Sequence, residues 1–201
     1  MTQKVIKSNN KALKRKTKNL ITPVNIGTDH IRGSIDAPIS IVEYGDYECP
    51  YTGMAYPIVK EILKQFDTKV YFVFRNFPLI WIHPHAQHAA EAAEVAAAQD
   101  KFWQMHDYLF EHQKALDDNH LLQYAERLGL DINKFKKAVS EHTYAPLIEE
   151  SLKTGIDSGV EGTPTFFVNG ERYEDSWDLE TFSNFLKTLN SRTNKSPIRY
   201  G

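Results

Sequence analysis

Ile39-Ser40-Ile41-Val42-Glu43-Tyr44 is a β-branched run preceded by Pro38 and ended by Gly45, which reads as a short buried strand. A helical pattern follows over residues 50–66, with Met54, Ile58, Ile62, Leu63 and Phe66 at helical spacing. Val70-Tyr71-Phe72-Val73-Phe74 then supplies a second strand. A strand, a helix and a strand joined by short connections predict two parallel strands with a right-handed crossover. Any fold proposed for the chain has to contain that unit.

The middle of the chain has a different texture. Residues 85–99 hold eight alanines, which carry little side-chain volume and so permit close helix–helix approach. Phe102, Trp103, Met105, His106, Leu109 and Phe110 mark a further amphipathic helix, and helical signals continue over 118–128, 131–139 and 144–156. Gly129 is a candidate C-cap and Asp131 a candidate N-cap. Strand signals return at Thr165-Phe166-Phe167-Val168. Asn169-Gly170 suits a two-residue hairpin turn because both residues tolerate positive φ, and Glu171-Arg172-Tyr173 is the return strand. A helix over about 178–189 presents Leu179, Phe182, Phe185, Leu186 and Leu189 on one face. The order is βαβ, a helical block, then ββα, which is an α/β fold with an all-helical insertion over about 80–158.

With 201 residues, 41% of them hydrophobic, the chain is large enough for one domain with a real core. No apolar run reaches 18 residues, so no transmembrane segment is expected. Charge is distributed unevenly. Residues 1–18 hold seven Lys or Arg and no acid, leaving 17 of the 24 basic side chains against 26 acids for the rest. The expected organisation is a basic, disordered tail over 1–30, a domain over 31–190 and a short tail over 191–201. No aromatics interleave the lysines, so specific nucleic-acid recognition is not expected. The tail has the charge of a signal peptide but neither its apolar stretch nor its cleavage site, so the expectation is a cytoplasmic protein.

The chain has one cysteine, which excludes an intramolecular disulfide and a Cys-based zinc site. Cys49 sits after the first strand and at the beginning of the first helix. Helix N–H groups and the positive end of the dipole stabilise a thiolate there, which is the nucleophilic form. Pro50 fits the first turn because its missing N–H would have had no helical partner. A lone cysteine is more often a small buried hydrophobe, and it is the strand–Cys–Pro–helix setting that points to reactivity. His85 and His88, with His83 nearby, lack a carboxylate at matching spacing, and no metal site is expected.

The stretch Cys49-Pro50-Tyr51-Thr52 resembles the Cys-Pro-x-Cys motif of the DsbA-like branch of the thioredoxin superfamily. Glu43 matches that superfamily's buried acid, Pro57 its helix proline, and Gly162-Thr163-Pro164-Thr165 the loop whose proline is cis. Phe74 to Leu79, His83-Pro84 and Lys101 to Asp107 resemble the approach to the branch's helical insertion. The resemblance covers about Gly33 to Leu189. It implies a thioredoxin-like fold with Cys49 as nucleophile and Glu43 as proton carrier. It also implies that Pro50, Tyr51, Thr163 and Pro164 line the place where an extended protein or peptide substrate lies.

Thr52 stands where the branch has its second cysteine, so it cannot resolve a mixed disulfide. Its hydroxyl is expected to donate to the Cys49 thiolate. The expected activity is monothiol thiol–disulfide exchange of isomerase or deglutathionylation type, with glutathione or another small thiol as co-substrate and no bound cofactor. Two other readings remain. One is a redox-inert peptide-binding module on the same fold. The other is a glutathione transferase, because the kappa class is similar in fold and insertion.

Overall fold

The computed structural model describes residues 18–193; residues 1–17, with most of the basic run, and residues 194–201 lie outside the described residues. Five strands form one sheet in the order β1-β3-β2-β4-β5: β1 (His30–Arg32), β2 (Ile39–Gly45), β3 (Val70–Asn76), β4 (Thr165–Val168) and β5 (Glu171–Arg172). β2 and β3 are parallel, joined through α1 (Pro50–Phe66), and the remaining pairings are antiparallel. All seven residues of β2 are buried. Covered on both faces, a strand can be apolar throughout, so its sequence shows a run and not an alternation.

One face of the sheet packs Ile39, Ile41, Phe72 and Phe74 against α1 and against α7 (Leu179–Thr193) through Ile62, Phe66, Phe182 and Leu186. The other face gathers Val42, Tyr44, Val73, Phe77 and Phe167. Five helices stand between β3 and β4: α2 (Ala86–Ala97), α3 (Phe102–Glu111), α4 (Asp118–Arg127), α5 (Ile132–Ser140) and α6 (Ala145–Asp157). α2 lies at their centre, with Ala89, Ala90, Ala92, Ala93 and Ala96 buried where neighbouring helices crowd it. α6 returns against the second face of the sheet, where a β-carbon on Gly155 would stand 2.6 Å from the Phe77 ring. Asp131 caps α5 by accepting from Lys134 N–H. Asn169 and Gly170 turn the β4–β5 hairpin at φ 48° and 81°.

Three boundaries differ from the sequence reading. Residues 18–30 belong to the folded body and not to a tail: Leu20 N–H donates to Gly170 O at 2.8 Å, Arg172 N–H to Lys18 O at 2.7 Å, and Ile21 N–H to the Ser158 hydroxyl at 3.0 Å. Leu20 and Val24 also pack on the second face. Density of positive charge marks only the first part of this segment, and its later residues carry the apolar side chains and backbone groups that tie it down. β1 is three half-buried residues, too short to leave a periodic signal. At the other end α7 continues to Thr193, past the expected stop at 189 and into the expected tail, while the return strand is two residues long and excludes Tyr173.

Candidate functional site

β2 ends at Gly45, and after four intervening residues α1 begins at Pro50. Gly45 is required by space: a β-carbon there would lie 2.4 Å from the Phe74 ring and 3.0 Å from Thr52 Cγ2. The connecting turn is organised by Asp46, which is 1% exposed. Its Oδ1 accepts from Glu48 N–H at 2.8 Å, and its Oδ2 meets Leu79 N–H at 2.8 Å and His83 Nδ1 at 2.7 Å. Asp46 O accepts from Cys49 N–H. One carboxylate therefore ties the turn before the cysteine to the loop that leaves β3.

Cys49 is the N-cap of α1, with extended φ and ψ and Pro50 in the first turn. Its sulfur does not cap the helix; at 3.2 Å from Thr163 O, it donates to that carbonyl. The Thr163–Pro164 peptide is cis. Cys49 is 4% exposed, while Pro50 and Tyr51 stand in solvent and Thr163 and Pro164 are largely covered. The sequence-predicted residues Cys49, Pro50, Tyr51, Thr163 and Pro164 thus meet at one end of the sheet.

Thr52 is placed differently from expectation. It is fully buried, and its Oγ1 accepts from Asp46 N–H at 3.5 Å instead of bonding to Cys49. The first turn of α1 points this side chain inward beneath the turn, where the nearest unfilled donor is backbone. Glu43 is 2% exposed on β2, and its Oε1 has no hydrogen-bond partner. Val59, Phe72 and Phe110, with Arg32, Tyr56, Lys60 and His106, line the same small cavity, and burial pushes the Glu43 carboxyl up to about 8. His106 lies in the same interior with Nδ1 3.1 Å from Tyr47 Oη, and burial holds its imidazole well below the usual range.

Gln113, in the loop after α3, is a site residue with no sequence signal. Its Nε2 donates to Tyr47 O at 2.9 Å and to Cys49 O at 2.7 Å, so the helical insertion reaches the turn that carries the sulfur. Around this end of the sheet Tyr51, Met54, Ile80, Trp81 and Ile82 are all more than half exposed. Among the described residues no group of three or more His, Cys, Asp or Glu could hold a metal ion.

The chain is similar over residues 25–188 to the family described as Thioredoxin. It is 48% identical over 165 residues to Na(+)/H(+) antiporter NhaA 1 of Salinispora arenicola and 37% identical over 176 residues to Na(+)/H(+) antiporter NhaA of Herminiimonas arsenicoxydans. Those matches cover 82% and 88% of this chain but 25% and 28% of the two antiporters, so the chain spans about a quarter of the length of these curated relatives. Among the described residues no helix is long and apolar enough to cross a membrane. In solved structures the fold is similar to oxidised BdbD of Bacillus subtilis, with TM-score 0.76 and 24% identity over 87% of this chain and 100% of that one. It is equally similar to alpha-DsbA1 of Wolbachia pipientis, with TM-score 0.76 and 20% identity over 89% and 98% of the two chains. At these identities the likeness shows the fold.

Proposed function

The chain belongs to the thioredoxin family, with the fold of its DsbA-like thiol–disulfide oxidoreductases, and from that premise we propose that it exchanges thiols and disulfides through one nucleophilic sulfur, that of Cys49. The observation that carries the proposal is the position of that sulfur at the N-cap of α1, 3.2 Å from the carbonyl of Thr163 in the cis Thr163–Pro164 peptide. The sulfur stands at the N-terminal, positive end of α1 and beside a backbone edge along which an extended peptide can lie.

In the first step the Cys49 thiolate attacks one sulfur of a substrate disulfide. A bond forms between Cys49 Sγ and that sulfur, the substrate S–S bond breaks, and the second substrate sulfur leaves as thiolate. The second step needs an external thiol, because Cys49 is the chain's one cysteine. Glutathione or another small thiol, abundant in a reducing compartment such as the cytoplasm, attacks the substrate sulfur of the mixed disulfide as thiolate, forms a disulfide with it and breaks its bond to Cys49 Sγ, which leaves as thiolate. No net oxidation of the protein results. Glu43, with a carboxyl near 8, is mainly protonated at pH 7 and serves as the proton reservoir for the leaving sulfur. The exposed Tyr51, Met54 and Ile80 to Ile82 suit protein or peptide substrates with apolar residues beside the disulfide.

One observation favours a second reading, a redox-inert peptide-binding module: the sulfur is buried and already engaged with Thr163 O. Glutathione-dependent reduction of a glutathionylated peptide separates the two. The exchange reading expects turnover by the protein as it stands, loss to background in Cys49→Ser, and a new insulin-reducing dithiol activity in Thr52→Cys, whose thiol would occupy the buried place of Thr52. If Cys49 is alkylated at pH 6 no faster than a free thiol, and Thr52→Cys gains nothing, the binding reading replaces it.

A further inference from the structure

The turn before Cys49 carries two acids, Asp46 and Glu48, and Glu48 is next to the cysteine in the chain. A carboxylate and a thiolate in neighbouring positions compete for the same partner, the positive N-terminal end of a helix. The fold separates them. α1 has Cys49 at its N-cap and no acidic side chain in its first turn. The Glu48 side chain turns instead to α2, whose N-cap is His85. Glu48 Oε2 accepts from His85 N–H at 2.6 Å, and Glu48 Oε1 accepts from His85 Nδ1 at 2.8 Å, the ring nitrogen being the donor because a carboxylate only accepts. α2 has no acidic side chain in its own first turn, so the carboxylate at its N-terminus is supplied by the cysteine turn.

The second acid of the turn is also committed elsewhere. Asp46 Oδ1 accepts from Glu48 N–H, which sets the backbone from which the Glu48 side chain departs, and Asp46 Oδ2 serves Leu79 and His83. Every carboxylate oxygen of Asp46 and Glu48 thus holds a donor outside Cys49. The Glu48 side chain is only 19% exposed, so water screens its charge incompletely, and where that charge points matters to a neighbouring anion.

We propose that Glu48 and His85 are positioning residues for the exchange reaction: by committing the Glu48 charge to the N-terminus of α2, they reserve the N-terminus of α1 for the Cys49 thiolate. The inference rests on the exchange reading of Cys49 and adds to it a requirement on the neighbouring side chain. Length then matters as much as charge. Glu48→Asp keeps the charge but shortens the side chain by one methylene, which withdraws it from His85 and leaves a carboxylate at the end of α1. Glu48→Gln keeps the reach and removes the charge.

The test is the rate at which iodoacetamide, a neutral reagent, alkylates Cys49 at pH 6 in the full chain, with glutathione-dependent turnover of a glutathionylated peptide measured in parallel. Glu48→Asp is expected to slow alkylation about fivefold, the effect of one added negative charge near a partly screened thiolate. Glu48→Gln should be no slower than the wild type. His85→Ala frees one carboxylate oxygen and keeps the backbone N–H, so it should slow alkylation about twofold, and should slow it no further in a Glu48→Gln background. Turnover should fall in the same order. A merely structural contact would instead make both Glu48 variants slow together and give His85→Ala the same effect in either background. If wild-type Cys49 is alkylated no faster than a free thiol, the exchange reading falls and this inference with it. If the wild type is fast, and Glu48→Asp is equally fast or Glu48→Gln equally slow, this inference alone is overturned. Should Glu48→Asp not fold, His85→Ala in the two backgrounds decides in the same way.

Discussion

Glu43 and Glu94 are buried to nearly the same degree, 2% and 4% exposed, and the two halves of the molecule treat them in opposite ways. Glu94 stands on α2 in the helical insertion, where His30 Nε2 approaches both its oxygens, at 2.9 and 3.1 Å, and Asn76 donates to it. The other buried acid of α2, Glu91, is also met, by His142 Nδ1 at 3.2 Å and by Gln87. Glu43, on the central strand β2, keeps a bare oxygen and a carboxyl near 8. Complete satisfaction is what a structural interior needs, and an unpaired acid is a cost that stability alone does not explain. Uncompensated burial sits on the sheet that leads to Cys49, where a group that titrates near neutrality is useful.

Substituting each acid separates these roles. Glu94→Leu strips His30 and Asn76 of their shared acceptor, and breaking a buried pair from one side is expected to cost about 3–5 kcal/mol in urea denaturation. A loss below 1 kcal/mol would mean that the pairing is incidental. Glu43 acts through pH instead. Its carboxyl lies near 4.5 in the unfolded chain and near 8 in the folded one. As pH rises from 4.5, the unfolded chain gives up this proton while the folded protein keeps it. Stability is therefore full below about 4.5 and declines until the folded group also ionises near 8. Between pH 5 and 8 the decline assigned to Glu43 is on the order of 3 kcal/mol. Glu43→Gln is expected to abolish that part of the pH dependence, so the variant gains on the wild type as pH rises. Parallel stability curves for the two proteins would remove Glu43 as a titrating group in this range.

The same contrast explains what could be read from the residues alone. The runs at 39–44, 70–74 and 165–168 announced their strands because buried strands are continuous in character. The five insertion helices showed their positions through alanine content and spacing. Cys49 and Pro50 at a strand–helix junction were legible for the same reason, as local chemistry at a local boundary. Pairings across long separations were not. Nothing near Gln113 distinguishes it from any other loop glutamine, since its role depends on carbonyls 64 and 66 residues away. Asp46 is similar, with partners at Leu79 and His83. The Thr52 hydroxyl was expected at the sulfur because the motif sets the two residues side by side, but helix geometry decides direction, and position 52 points under the turn. The segment over 18–30 was hidden behind the charge of the residues before it.

Gln113 offers the smallest expected effect and the finest probe of how the two halves are joined. Its amide gives the insertion two bonds to the cysteine turn, to Tyr47 O and Cys49 O, and Gly53 leaves room for it: a β-carbon at that position would lie 2.2 Å from Gln113 Oε1. Cys49 O also accepts from Gly53 N–H, so the turn keeps a helical bond when Gln113 is lost. Gln113→Ala should therefore cost only about 1 kcal/mol of stability. Its effect on exchange is expected to be larger in proportion, because the sulfur is aimed by the backbone whose carbonyls Gln113 holds, and small misplacements of a reacting group lower rate steeply. A severalfold fall in glutathione-dependent turnover, with Thr163 and Pro164 resonances shifted and the fold intact, is the outcome expected of a positioning residue. Gln113→Glu, which keeps the length but replaces the donor with an acceptor, should fall further than Gln113→Ala by setting a carboxylate against two carbonyls. Unchanged turnover in both variants would show that the insertion covers the cysteine turn without positioning it, and would confine the exchange machinery to the sheet half of the molecule.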